Sequence, residues 1–428
     1  MSKLTRRNFV KAASGTAALG LTGCLSSSPS IAGKAKRQVV VIGGGYGGAV
    51  AAKYIRKADP SVAVTLIEQN KHYYSCPLSN PVITGLRDLE VQKWGYEGLA
   101  KHGIKVVIDQ VTGIDAGSKT VATKGGDKFG YDKLVVSPGV DFRWEAIEGM
   151  SPEASEMMPH AWKAGPQTIT LRDQLMSLEN GKPFILVAPP NPFRCPPGPY
   201  ERASLVAHYL RKHKPKSKVL LLDPKDKFSK FGLFRGAWKE LGYEPNYIEW
   251  VPAAEGGKVT RVDAKAGKVY TDMDEFQSTA VNVIPPMKAG AIAAKAGLTD
   301  KSGWCPVDLK TFESKLAKDV YVIGDSSIAK GLPKSGYAAN SEAKVAANAV
   351  VASLNGQPAP MPSYVNTCYS LIAPEYGISV ALVSTYKDGK ISKVSGGLSP
   401  SKASKAFRKQ EAYYAESWYQ SIMKDTFG

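Results

Sequence analysis

Short runs of consecutive apolar residues alternate along the chain with segments that have helical apolar spacing. Residues 38–42 and 62–67 are such runs, and residues 49–55 between them have the composition of a helix. Continuous β-branched runs are typical of parallel strands that are buried on both faces. The pattern therefore predicts a βαβ unit near the start of the folded region.

The same order of elements recurs in the middle of the chain. Residues 184–188 and 218–223 are apolar runs, and residues 201–212 between them predict a helix. A further apolar run, residues 319–323, lies far downstream. Strands that alternate with helices in this way favour an α/β fold with parallel sheets.

A glycine-rich turn follows the first predicted strand. Gly43, Gly45 and Gly48 have the GxGxxG spacing, and Glu68 ends the next predicted strand 20 residues after Gly48. Such glycines allow a tight turn, close approach of the backbone to a pyrophosphate and close contact between helix and strand. A carboxylate at the position of Glu68 can accept the ribose hydroxyls. The unit is predicted to bind a dinucleotide.

A second motif indicates which dinucleotide is bound. Residues 319–325, with Thr311 before them, resemble the second FAD motif of the glutathione-reductase-like flavoproteins, in which a strand ends in Gly-Asp. In that superfamily the carboxylate, here Asp325 after Gly324, holds the ribityl chain. Residues 137–139, Ser-Pro-Gly, stand where the superfamily has an Ala-Thr-Gly turn. FAD is the predicted cofactor.

The turn of the middle βαβ unit is rich in proline. It reads Pro-Pro-Asn-Pro-Phe-Arg-Cys-Pro-Pro-Gly-Pro over residues 189–199, where the superfamily binds NAD(P)H. Proline has no N–H to donate and fixes φ, so this turn cannot wrap a pyrophosphate as a glycine turn does. We expect no nicotinamide to bind there and electrons to leave the flavin by another route.

Composition and charge narrow the setting. The 428 residues are 43% hydrophobic and 22% charged, with a formal charge of +18, and suggest about two to four folded domains. No apolar run reaches the roughly 18 residues that cross a bilayer. A basic chain can favour an anionic substrate or an acidic partner, the preferred alternative being an ordinary solvated surface, and no basic stripe of the kind that binds nucleic acid is visible.

The first 32 residues resemble a twin-arginine export signal. Residues 5–11, Thr-Arg-Arg-Asn-Phe-Val-Lys, precede an Ala/Gly-rich apolar stretch at residues 12–21. The signal predicts export of a folded cofactor protein to the periplasm, with cleavage after Ala32. Two alternatives are a plain basic tail and a lipoprotein box that would leave Cys24 as a lipidated N-terminus.

The five cysteines, at positions 24, 76, 195, 305 and 368, include no CxxC and no CxxCH spacing. Neither a zinc ribbon nor a c-type haem is encoded in this chain, and the five histidines do not pair closely with the cysteines. We expect no metal centre. A lone cysteine is more often a buried small apolar residue than a catalyst, but Cys195 lies in the proline-rich turn, where ligands meet the ends of strands.

Five stretches resemble the flavoprotein subunit of flavocytochrome c sulfide dehydrogenase: Tyr73–Asn80, Pro192–Arg202, Gly303–Asp308, Pro333–Tyr337 and Val365–Ser370. The resemblance implies that Cys76 attaches to FAD through a thioether and that Cys195 and Cys368 form a redox-active disulfide beside the flavin. It further implies that Glu201 transfers protons, although an acid there could simply favour the first turn of its helix. Cys305 is left as a packed free thiol.

Two further residues are candidates for the flavin site. Lys334, with the helix that starts after Gly336, is expected to face the flavin edge, the alternative being an exposed loop charge. Trp418 is the candidate aromatic between flavin and haem, the alternative being an anchor that packs the C-terminal helix. The haem itself is implied to reside in a separate c-type cytochrome subunit.

The predicted architecture is an α/β fold of two Rossmann-like domains of the glutathione reductase kind plus a C-terminal interface domain. Residues 33–160 and 281–357 are predicted to bind FAD, residues 161–280 to form a middle domain without a NAD site, and residues 358–428 to cover the flavin and face the partner. The implied function is oxidation of sulfide to sulfur or polysulfide with a cytochrome acceptor. The alternatives are a sulfide:quinone oxidoreductase and a non-catalytic electron relay.

Overall fold

The computed structural model describes residues 37–428, so the predicted export signal and Cys24 lie outside the described residues. The described strands, in chain order, are β1 Gln38–Ile42, β2 Ala63–Glu68, β3 Tyr73–Tyr74, β4 Lys93–Trp94, β5 Ile104–Ile108, β6 Val111–Asp115, β7 Thr120–Thr123, β8 Lys128–Gly130, β9 Lys133–Val136, β10 Val140–Phe142, β11 Phe184–Val187, β12 Val219–Leu222, β13 Ile248–Val251, β14 Val259–Asp263, β15 Lys268–Thr271, β16 Glu275–Gln277, β17 Val281–Val283, β18 Met287–Ala289, β19 Val320–Val322, β20 Ser363–Ala373, β21 Tyr376–Lys387 and β22 Lys390–Leu398. The described α-helices are α1 Gly48–Ala58, α2 Asn80–Ile83, α3 Glu97–Ala100, α4 Ala154–Met157, α5 Pro166–Ser177, α6 Gly198–His213, α7 Phe231–Glu240, α8 Ala291–Lys295, α9 Gly336–Leu354 and α10 Lys405–Phe427.

The first sheet is parallel and has the strand order β19-β9-β1-β2-β5. Four residues of β1 are buried, Val39, Val40, Val41 and Ile42, as the continuous apolar run predicts. Helices α1 and α9 pack against each other beside this sheet. Strands from residues 38–136 and from residues 320–322 thus build one sheet, so two distant pieces of the chain contribute to it.

The middle sheet is also parallel, in the order β13-β12-β11-β17. Successive side chains of β11 alternate between two apolar cores: Phe184 and Leu186 belong to one, Ile185 and Val187 to the other. Such alternation follows from the two-residue period of a strand. The second core lies between this sheet and the antiparallel β14-β15-β16 sheet, which contributes Val259, Val262 and Val269.

The boundary between the two predicted domains differs from the prediction at one strand. Val281–Val283 pairs with Ile185–Val187 of β11, so β17 belongs to the middle sheet and not to the piece of the FAD domain that was predicted to start at residue 281. An apolar run carries no information about its partner, because strand pairing is a long-range contact. Residues 287–289 then pair with residues 140–142 and connect the two pieces of the first domain.

The C-terminal region consists of an antiparallel sheet, β20-β21-β22, and the long helix α10. Ser404 caps α10 by accepting a hydrogen bond from the Phe407 N–H, and α10 packs on β20 and β21. No helix within residues 37–428 has the length and apolar content needed to cross a membrane. Two parallel Rossmann-like sheets and a C-terminal domain confirm the predicted fold class.

Candidate functional site

A cavity of about 1140 Å³ lies where the first sheet, the turn after β11 and the C-terminal sheet meet. The residues that line it include most of the predicted site: Gly43, Gly45, Glu68, Cys76, Cys195, Glu201, Gly324, Asp325, Cys368 and Trp418. Gly48 and Lys334 are the two predicted site residues that do not line it. Residues separated by more than 300 positions in the chain thus share one chamber.

The glycine turn has no room for side chains. Gly43 has φ +94°, and a Cβ there would lie 2.3 Å from the Ser137 carbonyl oxygen. A Cβ on Gly48 would lie 1.8 Å from the Gly43 carbonyl oxygen, so this residue fixes the contact between helix and strand from outside the cavity. The Gly44 N–H donates to Glu68 Oε2 at 2.7 Å. The turn fits a dinucleotide at the start of α1.

Asp325 supplies an acceptor that the protein itself leaves unused. Its Oδ2 accepts from Arg194 Nε at 2.8 Å, while its buried Oδ1 has no hydrogen-bond partner within the described residues. Buried carboxylate oxygens are normally satisfied, so an unpaired one that lines a cavity is an observation that fits a hydroxylated ligand. The donors and acceptors present here fit FAD.

Cys76 lies beside a half-buried arginine, Arg194. Its thiol donates to the Trp162 carbonyl at 3.5 Å, and Arg194 Nη1 lies 3.7 Å from its Sγ. Burial alone would lower the pKa of Arg194, but Cys76, Asp325 and Tyr73 raise it, so the guanidinium stays charged. The structure therefore puts Cys76 on the cavity wall next to a fixed cation, which is compatible with the predicted flavin attachment.

Cys195 is held in a left-handed backbone conformation by the proline-rich turn. It has φ +59°, its N–H donates to the Lys334 carbonyl at 2.8 Å, and its own carbonyl accepts from the Gly198 N–H at 2.8 Å. Non-glycine residues rarely adopt such φ values, and they cluster at functional sites. Burial, with the Glu201 carboxylate next in effect, raises the pKa of the Cys195 thiol well above its usual value.

Cys368 approaches the same space from β20. Its thiol donates to Asn366 Oδ1 at 3.5 Å, and burial raises its pKa while Lys230 opposes that rise. The charge of Cys368 also raises the pKa of Cys195, and the charges of Glu201 and Lys230 act on both thiols. The structure contains Cys76, Cys195, Cys305 and Cys368 as thiols, so the disulfide predicted between residues 195 and 368 is not formed in it.

Glu201 belongs to the site and does not cap its helix. It lies in the first turn of α6 and is buried; Asn80 Nδ2 donates to its Oε2 at 2.9 Å and the Leu371 N–H to its Oε1 at 2.8 Å. Both donors come from elsewhere in the chain, unlike the helix N–H groups that a capping acid would engage. Burial raises the pKa of Glu201, which favours a protonated carboxyl suited to proton transfer.

The predicted orientation of Lys334 is wrong. Its ammonium donates to the carbonyls of Asp325, at 2.6 Å, and Ser327, at 2.8 Å, and lies 4.0 Å from the Trp304 ring centroid. These acceptors draw the side chain behind the Asp325 loop, away from the cavity. The N-terminus of α9 does face the cavity through Ser335 and Gly336, so that part of the prediction agrees with the structure.

Trp418 combines packing with a place on the cavity wall. Its ring stacks on Tyr337 at 6.2 Å and lies tilted 6.3 Å from Tyr369, and its buried indole N–H has no partner within the described residues. The anchoring alternative is therefore correct as far as packing goes.

Cys305 is fully buried, as expected of a packed thiol, and burial raises its pKa to about 12.

Four polar residues of the site were not predicted: Asn80, Arg202 and Lys230, which are buried, and Arg194, which is half-buried. Asn80 and Arg194 stand in the stretches that carry the family resemblance, and Arg194 is adjacent to Cys195, so their position was a usable signal. Arg202 donates to Asn80, Asn282 and two carbonyls at the back of the cavity. Lys230, buried beside Cys368, has no sequence signal because tertiary contacts alone bring it there.

Three family models match consecutive parts of the chain. Residues 37–174 match "Pyridine nucleotide-disulphide oxidoreductase", residues 168–285 match the central part of "Sulfide dehydrogenase [flavocytochrome c] flavoprotein chain", and residues 360–427 match "Flavocytochrome c sulphide dehydrogenase, flavin-binding". The last two cover the proline-rich turn and the Cys368 strand, respectively.

Relatives of two kinds are similar to the chain. A fragment of "Sulfide dehydrogenase [flavocytochrome c] flavoprotein chain" from Chlorobaculum thiosulfatiphilum is 56% identical over 46 residues, which are 11% of this chain and 96% of that sequence. The mitochondrial sulfide:quinone oxidoreductase of Mus musculus is 23% identical over 322 residues, 71% of this chain and 67% of the relative. The structure of sulfide:quinone oxidoreductase from Aquifex aeolicus has a TM-score of 0.69 at 19% identity and covers 91% of both chains.

Proposed function

Because the chain belongs to the flavoprotein oxidoreductases of the pyridine nucleotide-disulphide type and carries flavocytochrome c sulfide dehydrogenase domains, we propose that it oxidises sulfide to sulfur or polysulfide. The observation that carries the proposal is that Cys195 and Cys368, from different domains, line the cavity that also contains the glycine turn and Asp325. A dithiol beside a flavin cavity suits two-electron chemistry on sulfur.

The proposed reaction starts from the oxidised pair. The sulfur of hydrosulfide attacks one sulfur of a Cys195–Cys368 disulfide; a new S–S bond forms to that cysteine, the bond between the two cysteines breaks, and the other cysteine leaves as a thiolate. FAD, when bound, supplies the acceptor for the two electrons that sulfide loses on becoming sulfur.

Glu201 is proposed to manage the protons of this step. Its carboxyl is buried in the same cavity, within the electrostatic range of Cys195, and Asn80 and the Leu371 N–H hold it in place. A carboxyl whose pKa is raised by burial keeps its proton to higher pH than an exposed carboxyl does, and can give that proton to a leaving sulfur. Arg194 and Asp325, which are hydrogen-bonded to each other, are proposed to contact the cofactor in the same cavity.

We propose a c-type cytochrome as the acceptor and a covalent thioether between Cys76 and FAD. Support for the cytochrome comes from the two flavocytochrome c family models and from the Chlorobaculum fragment. A quinone is the second candidate, favoured by the similarity to sulfide:quinone oxidoreductases over most of the chain. Export to the periplasm by residues 1–32, with removal or lipidation of Cys24, is part of the proposal.

The experiment mixes the anaerobic holoprotein with sulfide and follows bleaching of the flavin. We expect rapid bleaching in the wild type, a loss of about 1000-fold in Cys195→Ser and Cys368→Ser, and no change in Cys305→Ser, whose thiol is buried away from the cavity. Reoxidation by cytochrome c, by a short-chain quinone or by neither then identifies the acceptor. Bleaching that persists without Cys195 would identify an electron relay instead of this enzyme.

A further inference from the structure

Lys230 is a buried lysine whose charge no carboxylate neutralises directly. Only 6% of it is exposed, it lines the cavity beside Cys368 and Glu201, and it forms no ion pair with a carboxylate among residues 37–428. Lys225, five residues earlier, shows the usual arrangement, with its ammonium 2.6 Å from Asp223. A buried cation without a partner is costly, so an unpaired one that lines a ligand cavity calls for an anion.

The backbone of Lys230 is also in a conformation that lysine seldom adopts. It precedes α7 with φ +61° and ψ +28°, and its carbonyl accepts from the Leu233 and Phe234 N–H groups. Glycine would meet this geometry without strain. Strained non-glycine residues cluster at functional sites. That a lysine and not a glycine occupies this position indicates that the side chain has a function.

The ammonium has one donor more than the protein uses. It donates to Ser370 Oγ at 3.1 Å and to the Cys368 carbonyl at 3.5 Å, and an ammonium carries three N–H donors. Glu201, a carboxylate of the cavity wall whose charge acts on Lys230, accepts from Asn80 and the Leu371 N–H instead. One N–H therefore remains for a ligand next to Cys368.

Three other basic residues of the cavity wall have partners of their own, and the remaining ones, Lys71, His72 and Lys295, are exposed. Arg194 pairs with Asp325 at 2.8 Å and Lys163 lies 3.7 Å from Asp141, while Arg202 is surrounded by four oxygen acceptors. Burial lowers the pKa of Lys230, against the raising effects of Cys368, Glu201 and Cys195. Another anion in the cavity would favour the charged ammonium further.

We propose that the Lys230 ammonium binds the anionic sulfur of the substrate next to Cys368, so that the species taken up is hydrosulfide and not neutral hydrogen sulfide. This inference rests on the proposed function and names the charge state that the site selects. The step itself is a binding step: one N–H···S⁻ contact forms and no bond breaks. The bound sulfur then lies beside the cysteine pair that it attacks.

The test measures flavin bleaching over a series of sulfide concentrations, with and without thiocyanate, an inert monovalent anion, at constant ionic strength. In the wild type, thiocyanate should raise the sulfide concentration needed for half-maximal rate. In Lys230→Met that concentration should rise about 10-fold or more, and thiocyanate should add nothing. Lys230→Arg should keep part of both effects, and Lys227→Met, which removes an exposed lysine nearby, should behave as the wild type.

Lys230→Gly separates binding from folding, because it removes the ammonium while relieving the left-handed backbone. A lysine that only braces Ser370 and Cys368 would affect the limiting rate and the thermal midpoint and leave the thiocyanate competition intact. Folded Met or Gly variants with wild-type concentration dependence and wild-type thiocyanate competition would overturn the inference.

Calorimetric titration of the holoprotein with thiocyanate keeps this inference distinct from the proposed function. If sulfide does not bleach the wild type, the proposed function fails. Thiocyanate binding that is lost in Lys230→Met would still support the anion site. Equal binding to the wild type and Lys230→Met would overturn it, whatever sulfide does.

Discussion

The turn after β1 and the turn after β11 occupy the same position in two similar βαβ units but are built from opposite residues. The first is glycine-rich, and its Gly44 N–H donates to Glu68 at the end of β2. The second is proline-rich and projects Arg194 and Cys195 into the cavity of the first domain. Under the proposed function, one topological position serves phosphate approach in one domain and sulfur chemistry in the other.

The difference follows from what each residue type can do. Glycine exposes N–H groups and accepts positive φ, whereas proline removes N–H groups and stiffens the chain. In the middle domain the rigid turn holds a cysteine at φ +59° against the Lys334 carbonyl. Substitutions in the two turns should therefore have separable effects, on cofactor retention in the first and on sulfide reactivity in the second.

The broadest effect is expected from Gly48→Ala in the glycine turn, because loss of the cofactor removes every flavin-dependent property. Its Cβ would lie 1.8 Å from the Gly43 carbonyl oxygen, a backbone atom that cannot move aside without breaking the turn. We expect the flavin-to-protein ratio to fall below about a tenth of the wild-type value. The matched control is Gly232→Ala in α7, where nothing lies within 4 Å of the new Cβ, and its flavin content should be unchanged.

Gly198→Ala disturbs the proline-rich turn. The new Cβ would lie 2.6 Å from the Trp162 ring and 3.1 Å from Cys195 Sγ, so both side chains must shift. We expect full flavin content with bleaching by sulfide slowed about 10- to 100-fold, because small misplacements of a reacting group are costly. Loss of flavin in this variant would contradict the division of roles between the two turns.

Glu201→Gln tests the proton role beside Cys195. Since burial raises the pKa of Glu201, its protonated form persists above the usual carboxyl range and is lost as pH rises through that raised pKa. The wild-type bleaching rate, corrected for hydrosulfide concentration, should fall as pH rises through the pKa of Glu201. In Glu201→Gln the rate should be about 100-fold lower and should no longer show this fall. An unchanged pH profile in the variant would assign Glu201 a purely structural role.

The smallest effect concerns Glu342, which holds the Gly324 turn by accepting from the Gly324 N–H at 2.6 Å. Burial raises its pKa from 4.5 to about 8, so between these values the folded state binds more protons than the unfolded state. The free energy of unfolding should fall with rising pH in this window, by at most about 1.4 kcal/mol per pH unit. Urea unfolding of Glu342→Gln should lack this slope; a slope equal to that of the wild type would contradict the assignment.

The sequence predicted those parts of the site that local motifs encode. Gly43, Gly45 and Gly324 are required by backbone geometry, and their spacing is visible in one chain. The meeting of Cys195 and Cys368 in one cavity was implied only by family resemblance, because 173 positions separate them. Both cysteines line that cavity.

The remaining features depend on contacts that no local pattern carries. Lys334 turns away from the cavity because the carbonyls of Asp325 and Ser327 accept hydrogen bonds from its ammonium. β17 joins the middle sheet by pairing with β11, which lies about a hundred positions earlier, and no local pattern specifies such a distant partner. Lys230 reaches Cys368 across 138 positions, and its unusual φ is set by the start of α7.

Peptide mapping of the two cysteines tests the central claim most directly. The purified, air-oxidised holoprotein is alkylated under denaturing conditions before and after one equivalent of sulfide, and the Cys195 and Cys368 peptides are identified by mass. We predict that the two peptides are disulfide-linked before sulfide and separate afterwards, one of them carrying an extra sulfur atom. Recovery of both as alkylated free thiols before any sulfide is added would contradict the account.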